Sequence, residues 1–259
     1  MAIIASWNIN SVRIRIEILK EFIKEIKPDI ILLQEIKCTN EEFPDFYTLL
    51  NYELIVNGQK GKYGVAILIR KGLNFKSIEL KNEILLRESR TNLIYVDELD
   101  LNILNVYTPN GNPIEDKKKF NFKISWLSEV KKISTQFINN LDNFLIAGDF
   151  NVLENKSDVS NFHDWENDAL GCIETRKVFR EILSSGLTNI VRIFKKPGTS
   201  FSYWDYQRAC WERNDGLLID HFLISPKYLK FVKDINFGSK YRGMSKPSDH
   251  IPIWINLNI

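Results

Sequence analysis

Cysteine and histidine are scarce in this chain, with three of each in 259 residues, and their spacing excludes the commonest disulfide and zinc frameworks. Cys38, Cys172 and Cys210 are odd in number, far apart and without a CxxC pair, so they are read as buried or incidental thiols. His163, His221 and His250 show no HExxH spacing. Apolar runs are short too. Ile30 to Leu33 and Val65 to Ile69 fall far below the roughly 20 residues that span a bilayer, so no membrane crossing is expected. The opening residues, MAIIASWNIN, lack the basic and long apolar regions of a secretory signal, so a cytoplasmic location is expected, nucleoid-associated if the chain is bacterial. Charge of one sign is also missing: 35 Lys and Arg against 33 Asp and Glu leave a net +2, so any argument for nucleic-acid binding must rest on local clusters. No Gly/Ser/Pro linker and no low-complexity tract interrupts the chain, and one domain over residues 1–259 is expected.

What is present is an ordinary globular composition, 44% hydrophobic and 26% charged, which excludes a largely disordered chain. Ala2 to Trp7 reads as a buried strand. Ser11 is placed to cap a helix whose apolar residues Ile16, Leu19, Phe22, Ile23 and Ile26 recur at helical spacing until Lys27-Pro28 stops it. Ile30 to Leu33 then ends in Gln34-Glu35, completing a βαβ unit with polar groups at its strand ends. Short β-rich segments follow at 53–56, 64–70, 75–80, 92–98 and 101–107, with a hairpin turn at Leu99-Asp100. A lysine-rich helix over about 115–140 leads into a strand at 143–147 that runs into Gly148-Asp149-Phe150-Asn151. The remainder reads as an Asn/Asp-rich loop, a helix near 174–183, and strands near 200–206, 217–224 and 251–257. The pattern predicts two related α/β halves with a mixed sheet in each.

Taken singly, Asn8, Glu35, Asp149, Asn151, Asp220, Asp249 and His250 are the kind of residue that caps a turn at a strand end. Their repetition carries the argument, since each follows or closes an apolar run: IIASWN, DIILLQE, NFLIAGDFN, GLLIDH, KPSDHIPIWI. Carboxylates and carboxamides gathered with one histidine suit oxygen coordination of Mg²⁺ or Mn²⁺. The chemistry that such a site favours is hydrolysis at a phosphate, which needs an activated water, stabilisation of negative charge and help for the departing alkoxide. Glu35 suits a metal anchor, Asp149 or His250 proton handling, and Asn151 and Tyr107 donation to phosphate. Asp220 is a candidate to orient His250.

The ordered segments SWNINSVR (6–13), PDIILLQEIK (28–37), NGQKGKYGVAIL (57–68), NVYTPNG (105–111), IAGDFNV (146–152), SYWDY (202–206), GLLIDHFLIS (216–225) and KPSDHIPI (246–253) resemble the exonuclease III family of apurinic/apyrimidinic (AP) endonucleases, within the endonuclease/exonuclease/phosphatase superfamily. The resemblance implies a four-layer α/β/β/α sandwich of two mixed sheets flanked by helices. It implies Mg²⁺, with Mn²⁺ a possible substitute, near Asn8, Glu35 and Asp249, with Asp149, Asn151 and His250 around the same centre. Asp149 would activate water or protonate the leaving group, Asn151 and Tyr107 would bind the scissile phosphate with support from Asn110, and His250 paired with Asp220 would stabilise the transition state or accept a proton. The substrate it implies is double-stranded DNA with abasic sites or 3′ blocks, cleaved 5′ to the abasic site to leave a 3′-hydroxyl in base excision repair, with 3′→5′ exonuclease and 3′-phosphatase activities and a monomeric enzyme.

For DNA contact, Lys60 and Lys62 lie in a Gly-rich loop, GQKGKYG, and Arg208, Arg213, Lys240, Arg242 and Lys246 lie near other matched segments. The pocket for a base-less sugar would fall on Tyr203, Leu217 and Ile219, with Trp204 adjacent. Leu218 departs from the arginine that relatives often carry before the Ile-Asp pair. Two other readings stand beside this one: a phosphoinositide or sphingolipid phosphodiesterase of the same superfamily, and a DNA-binding relative without catalysis. The KGKYG loop and SYWDY segment favour DNA, and the presence of Glu35, Asp149, Asn151 and His250 favours an enzyme.

Overall fold

The computed structural model describes residues 1–259. In chain order its strands are β1 (Ala2–Asn8), β2 (Ile30–Gln34), β3 (Tyr52–Asn57), β4 (Val65–Arg70), β5 (Phe75–Ser77), β6 (Thr91–Val96), β7 (Leu101–Tyr107), β8 (Phe144–Asp149), β9 (Thr188–Asn189), β10 (Asp220–Ile224), β11 (Val232–Phe237) and β12 (Ile253–Leu257). Its helices are α1 (Val12–Ile26), α2 (Glu83–Leu86), α3 (Lys117–Asn139), α4 (Ile173–Ser184), α5 (Ile190–Phe194) and α6 (Pro226–Leu229). None is long and apolar enough to cross a membrane.

Two six-stranded mixed sheets form, ordered β11-β12-β1-β2-β4-β3 and β5-β6-β7-β8-β10-β9. One apolar cluster joins them, with Ile4, Leu32, Ile67 and Ile253 meeting Ile103, Leu145, Ala147 and Phe222. The opposite face of the first sheet is covered by α1 through Leu19, Phe22 and Ile23, and that of the second by α3 and α4 through Trp126, Leu127, Val130 and Phe179. Strands buried on both faces explain the unbroken apolar runs read in the sequence. Burial of so much apolar surface is the main force holding the layers together.

A buried polar connection crosses the apolar interface. The Gln34 Nε2 donates to Asn105 Oδ1 at 2.8 Å, and Asn105 Nδ2 donates to the carbonyls of Leu33 and Ala66 at 3.1 Å each. Because unpaired polar groups are costly in such surroundings, these bonds favour one docking of the two sheets over others shifted along it.

Several local expectations are corrected. The halves are not contiguous in sequence: β11 and β12 return from the C-terminus to the first sheet. Segment 200–206 is no strand, because Tyr203 makes only isolated bridges, to Leu217 and His250. The strand foreseen from 217 begins at Asp220. Ser11 holds the N-cap position of α1 but makes no side-chain cap; its φ is 83°, and the N–H groups of Ser11 and Val12 donate to the carbonyls of Glu35 and Ile36 instead.

Candidate active site

Strand pairing gathers the polar strand ends. In the second sheet Tyr107 pairs with Asp149 across β7 and β8, and Asp149 with Asp220 across β8 and β10. In the first, Asn8 pairs with Gln34, which brings Glu35 next to it, and antiparallel β12 delivers Asp249 and His250 to the same end of β1. Gly148 is required by this packing, since its φ is +147° and a Cβ there would lie 1.9 Å from the Val106 carbonyl oxygen. Beyond the strands, Asn10, Glu35 and Asn151 all adopt positive φ, so the backbone is most contorted where the polar side chains gather.

At the centre, His250 Nδ1 lies 2.8 Å from Asp220 Oδ2, and its Nε2 lies 3.8 Å from Asp149 Oδ2. All three side chains are buried. The Ser202 hydroxyl fixes Asp220 by donating to the same Oδ2 at 2.6 Å. Burial opposes a charge on His250, but the negative charges of Asp220 and Asp149 and the hydrogen bond to Asp220 outweigh it and lift its pKa to about 10. Burial raises Asp149, reinforced by Asp220 and opposed by His250, to about 7. Asp149 is held on both oxygens: the Asn151 N–H donates to Oδ1 at 2.8 Å, and the carboxamides of Asn8 and Asn151 donate to Oδ2 at 3.0 and 3.2 Å.

Across the cavity, the Tyr107 phenol donates to Glu35 Oε1 at 2.5 Å. Burial, with the nearby Glu35 charge, holds that phenol well above its ordinary pKa, so it stays a neutral donor. Asn10 donates to Asp249 Oδ1 at 2.9 Å and accepts from Lys37 at 2.6 Å. Asn110 donates to Asn151 Oδ1 at 3.3 Å. Asn8, Glu35, Tyr107, Asn110, Asp149, Asn151, Asp249 and His250 line one cavity of about 360 Å³, together with Tyr203, Leu217 and Ile219 as expected and with Asn112, Trp165, Asp168 and Leu170, which sequence reasoning missed. An apolar wall therefore stands beside the polar centre.

The remaining expected contacts divide. Lys60, Lys62 and Arg208 project into solvent. The loop carrying the lysines is anchored to the site, since the Arg90 guanidinium lies 3.9 Å from the Tyr63 ring centre and 4.6 Å from that of Tyr107. Trp204 is not a cavity residue: it is buried against Trp211, with ring centres 4.8 Å apart, because the 204–215 loop folds over it. Arg242 is likewise buried and donates to the Trp204 carbonyl, Lys240 pairs with Glu25, and Arg213 pairs with Asp215. Leu218 points into the apolar layer between the sheets, away from the cavity.

Other residues missed by sequence reading support those that were found. Ser202, Ser248 and Asn10 all lie inside quoted motifs, which was the available signal. Lys123 gave none; it is wholly buried and donates to the carbonyls of Asn110, Asn151 and Ala169. Burial lowers its pKa, opposed by the charges of Asp168 and Asp149, while the three carbonyl acceptors around Nζ match the three donors of the ammonium.

For a metal ion, no three His, Cys, Asp or Glu side chains form a ready-made chelate. Glu35, Asp249 and Asn8 instead bring separate oxygen donors to a cavity with an excess of carboxylates, which fits a hard divalent cation that keeps water and substrate oxygens in its shell. His250 is less suited to ligation than Glu35, Asp249 and Asn8. With one nitrogen on Asp220 and a pKa raised by Asp220 and Asp149, it favours the imidazolium over a metal-ligating imidazole.

Two sheets that converge acid, amide and imidazolium groups on a cavity define a hydrolase of phosphate esters. The chain belongs to the Endonuclease/Exonuclease/phosphatase family, whose model matches residues 5–250. It is 30% identical to exodeoxyribonuclease III of Haemophilus influenzae, over 96% of this chain and 97% of that one. Its fold matches an AP endonuclease from Archaeoglobus fulgidus at TM-score 0.93 and 27% identity, covering all of both chains. A 3′ phosphatase, NExo, from Neisseria bound to a product DNA hairpin matches at TM-score 0.92 and 27% identity, again over both whole chains. The protein is a hydrolase of this phosphate-ester-cleaving family.

Proposed function

We propose that this protein is a Mg²⁺-dependent repair nuclease that cuts duplex DNA 5′ to abasic sites, leaving a 3′-hydroxyl, and also removes 3′-terminal nucleotides and 3′-phosphates. The carrying observation is the buried Asp149–His250–Asp220 set beside the apolar wall of Trp165, Leu170, Leu217 and Ile219. A base-less sugar fits against such a wall without leaving base hydrogen-bonding groups unpaired. Action as a cytoplasmic monomer is part of the same proposal.

The site divides the labour as follows. Asp149, poised near neutrality, takes the proton of the attacking water as the new P–O bond forms, with Asn8 and Asn151 fixing its orientation. His250, kept cationic by Asp220, faces the phosphoryl oxygens and offsets their added charge, a role unsuited to a general base. Tyr107 and Asn110 complete the phosphate cradle. As the P–O3′ bond breaks, the departing oxygen is protonated from solvent or from Asp149. Mg²⁺ held by Glu35, Asp249 and Asn8 would neutralise phosphate charge that the acidic cavity otherwise repels.

The test is a duplex with one tetrahydrofuran abasic analogue, incubated with Mg²⁺ or with EDTA. A single nick on the 5′ side of the analogue, present only with Mg²⁺, is expected. No nick, or an equal nick in EDTA, would sink the reading.

A further inference from the structure

We infer that Lys123 is a positioning residue for this reaction: its ammonium holds three separate loops in the one arrangement that aims the phosphate-binding groups and the pocket wall at each other. The inference rests on the phosphodiesterase reading above. Lys123 lies in the first half of α3, outside the cavity, so it touches no substrate.

The geometry is specific. Lys123 Nζ donates to the carbonyls of Asn110 at 2.9 Å, Asn151 at 2.6 Å and Ala169 at 2.8 Å. Those residues belong to the loop after β7, the loop after β8 and the segment before α4. The first two place their own side chains in the cavity, and Ala169 lies between Asp168 and Leu170, which also line it. All three donor positions of the ammonium are thus used on backbone whose side chains form the site.

A purely structural account explains less. The side chain is wholly buried and forms no direct salt bridge; the charges of Asp168 and Asp149 favour its cation, but the cost of removing that charge from water outweighs them. Methionine of similar length would fill the same space without a buried charge, but it would leave the carbonyls of Asn110, Asn151 and Ala169 without this donor. Neighbouring residues are shaped around the lysine. Gly111 has φ +86°, and a Cβ there would lie 2.6 Å from Lys123 Cδ. Asn112 adds a second link, donating to Asp168 at 3.0 Å and accepting from the Ala169 N–H at 3.0 Å.

The experiment compares the full-length wild type with Lys123→Met, Lys123→Gln and Thr175→Val, using a duplex with a tetrahydrofuran abasic analogue and one with a 3′-phosphate. Thr175→Val is the structural control, since it removes another buried bond to Ala169, from the Thr175 hydroxyl at 2.8 Å, and leaves the Asn110 and Asn151 arms intact. Thermal melts and circular dichroism give the folded fraction. Lys123→Met is expected to lower kcat per folded molecule by about 30-fold or more with KM within about 3-fold, on both substrates, because alignment in the transition state is lost. Lys123→Gln should recover part of kcat, and Thr175→Val should keep kcat within about 3-fold of wild type while lowering Tm. The proposal is overturned if Lys123→Met keeps kcat, if its loss only tracks the folded fraction, or if Thr175→Val loses as much. Should Lys123→Met not fold, Lys123→Gln is judged by the same criteria, and failure of both to fold assigns Lys123 to the scaffold and overturns the proposal. An inactive wild type would overturn the underlying reading as well, an outcome distinct from an active wild type with indifferent variants.

Discussion

Asp220 pairs directly with Asp149 across β10 and β8, so two buried carboxylates face the same histidine from adjacent strands. Like charges at such a site resist joint ionisation, and the imidazolium of His250 relieves that repulsion. Asp220 is held by Ser202, which suits it to orientation, and in the proposed mechanism Asp149 handles the proton.

Asp220→Asn should therefore act through His250. Its imidazole is expected to titrate nearer the ordinary histidine range than the raised value of about 10 that Asp220 supports. kcat should fall by roughly 10²-fold or more, within the range of proton-handling groups. Histidine NMR against pH and steady-state kinetics check both parts, and an unchanged His250 titration would count against the assignment.

The same group gives a signed dependence of stability on pH. The folded-state pKa of His250 lies above its unfolded value of 6.5, so the folded protein binds more protons than the unfolded one between these values. Its stabilising contribution is complete below pH 6.5 and is lost as pH rises through about 10. Asp149, raised from 3.8 to about 7, has the same sign over its own lower interval. Without divalent metal, Tm should decline from near neutral pH to pH 10, and His250→Gln should flatten that decline.

Removal of metal and alteration of its anchor should differ in kind. EDTA is expected to abolish incision reversibly. Glu35→Gln should shift the Mg²⁺ concentration for half-maximal activity upward by about 10-fold or more, since a carboxylate ligand is replaced by a neutral amide. Titrating activity against Mg²⁺ measures this, and an unchanged midpoint would exclude Glu35 as an anchor.

Lys60 and Lys62 are solvent-exposed on a loop tied to Tyr107 through Tyr63 and Arg90. If each meets one phosphate, each Ala variant should lower the slope of log K against log salt by about 1 while leaving kcat nearly unchanged. Trp204→Ala should behave oppositely. It empties a buried site and should cost about 3–5 kcal/mol of stability, with little effect on DNA affinity per folded molecule.

The sequence disclosed the strand ends well because strands buried on both faces read as unbroken apolar runs, and a polar residue closing such a run is conspicuous. Asn8, Glu35, Asp149 and His250 were all legible this way, and the structure brings them to one cavity. Strand β11 was not foreseen, since its two outward charges, Lys233 and Asp234, interrupt the pattern beside a bulge. Segment 200–206 misled in the other direction: its aromatic residues look strand-like, but Ser202 and Tyr203 spend their N–H groups on the single carbonyl of Leu217. Lys123 was hidden among the lysines of α3, where a residue that ends up wholly enclosed looks the same as its solvated neighbours.

The Gln34–Asn105 contact gives the chemistry an unusual dependence on assembly. Asn8, Glu35 and His250 come from one sheet and its edges, Tyr107, Asp149 and Asp220 from the other. Each half can complete its own hydrogen-bond ladder and still lack any reactive constellation. Turnover is therefore expected to report inter-sheet alignment, returning during refolding later than the far-UV circular dichroism of the individual sheets and failing in denaturant before that signal does.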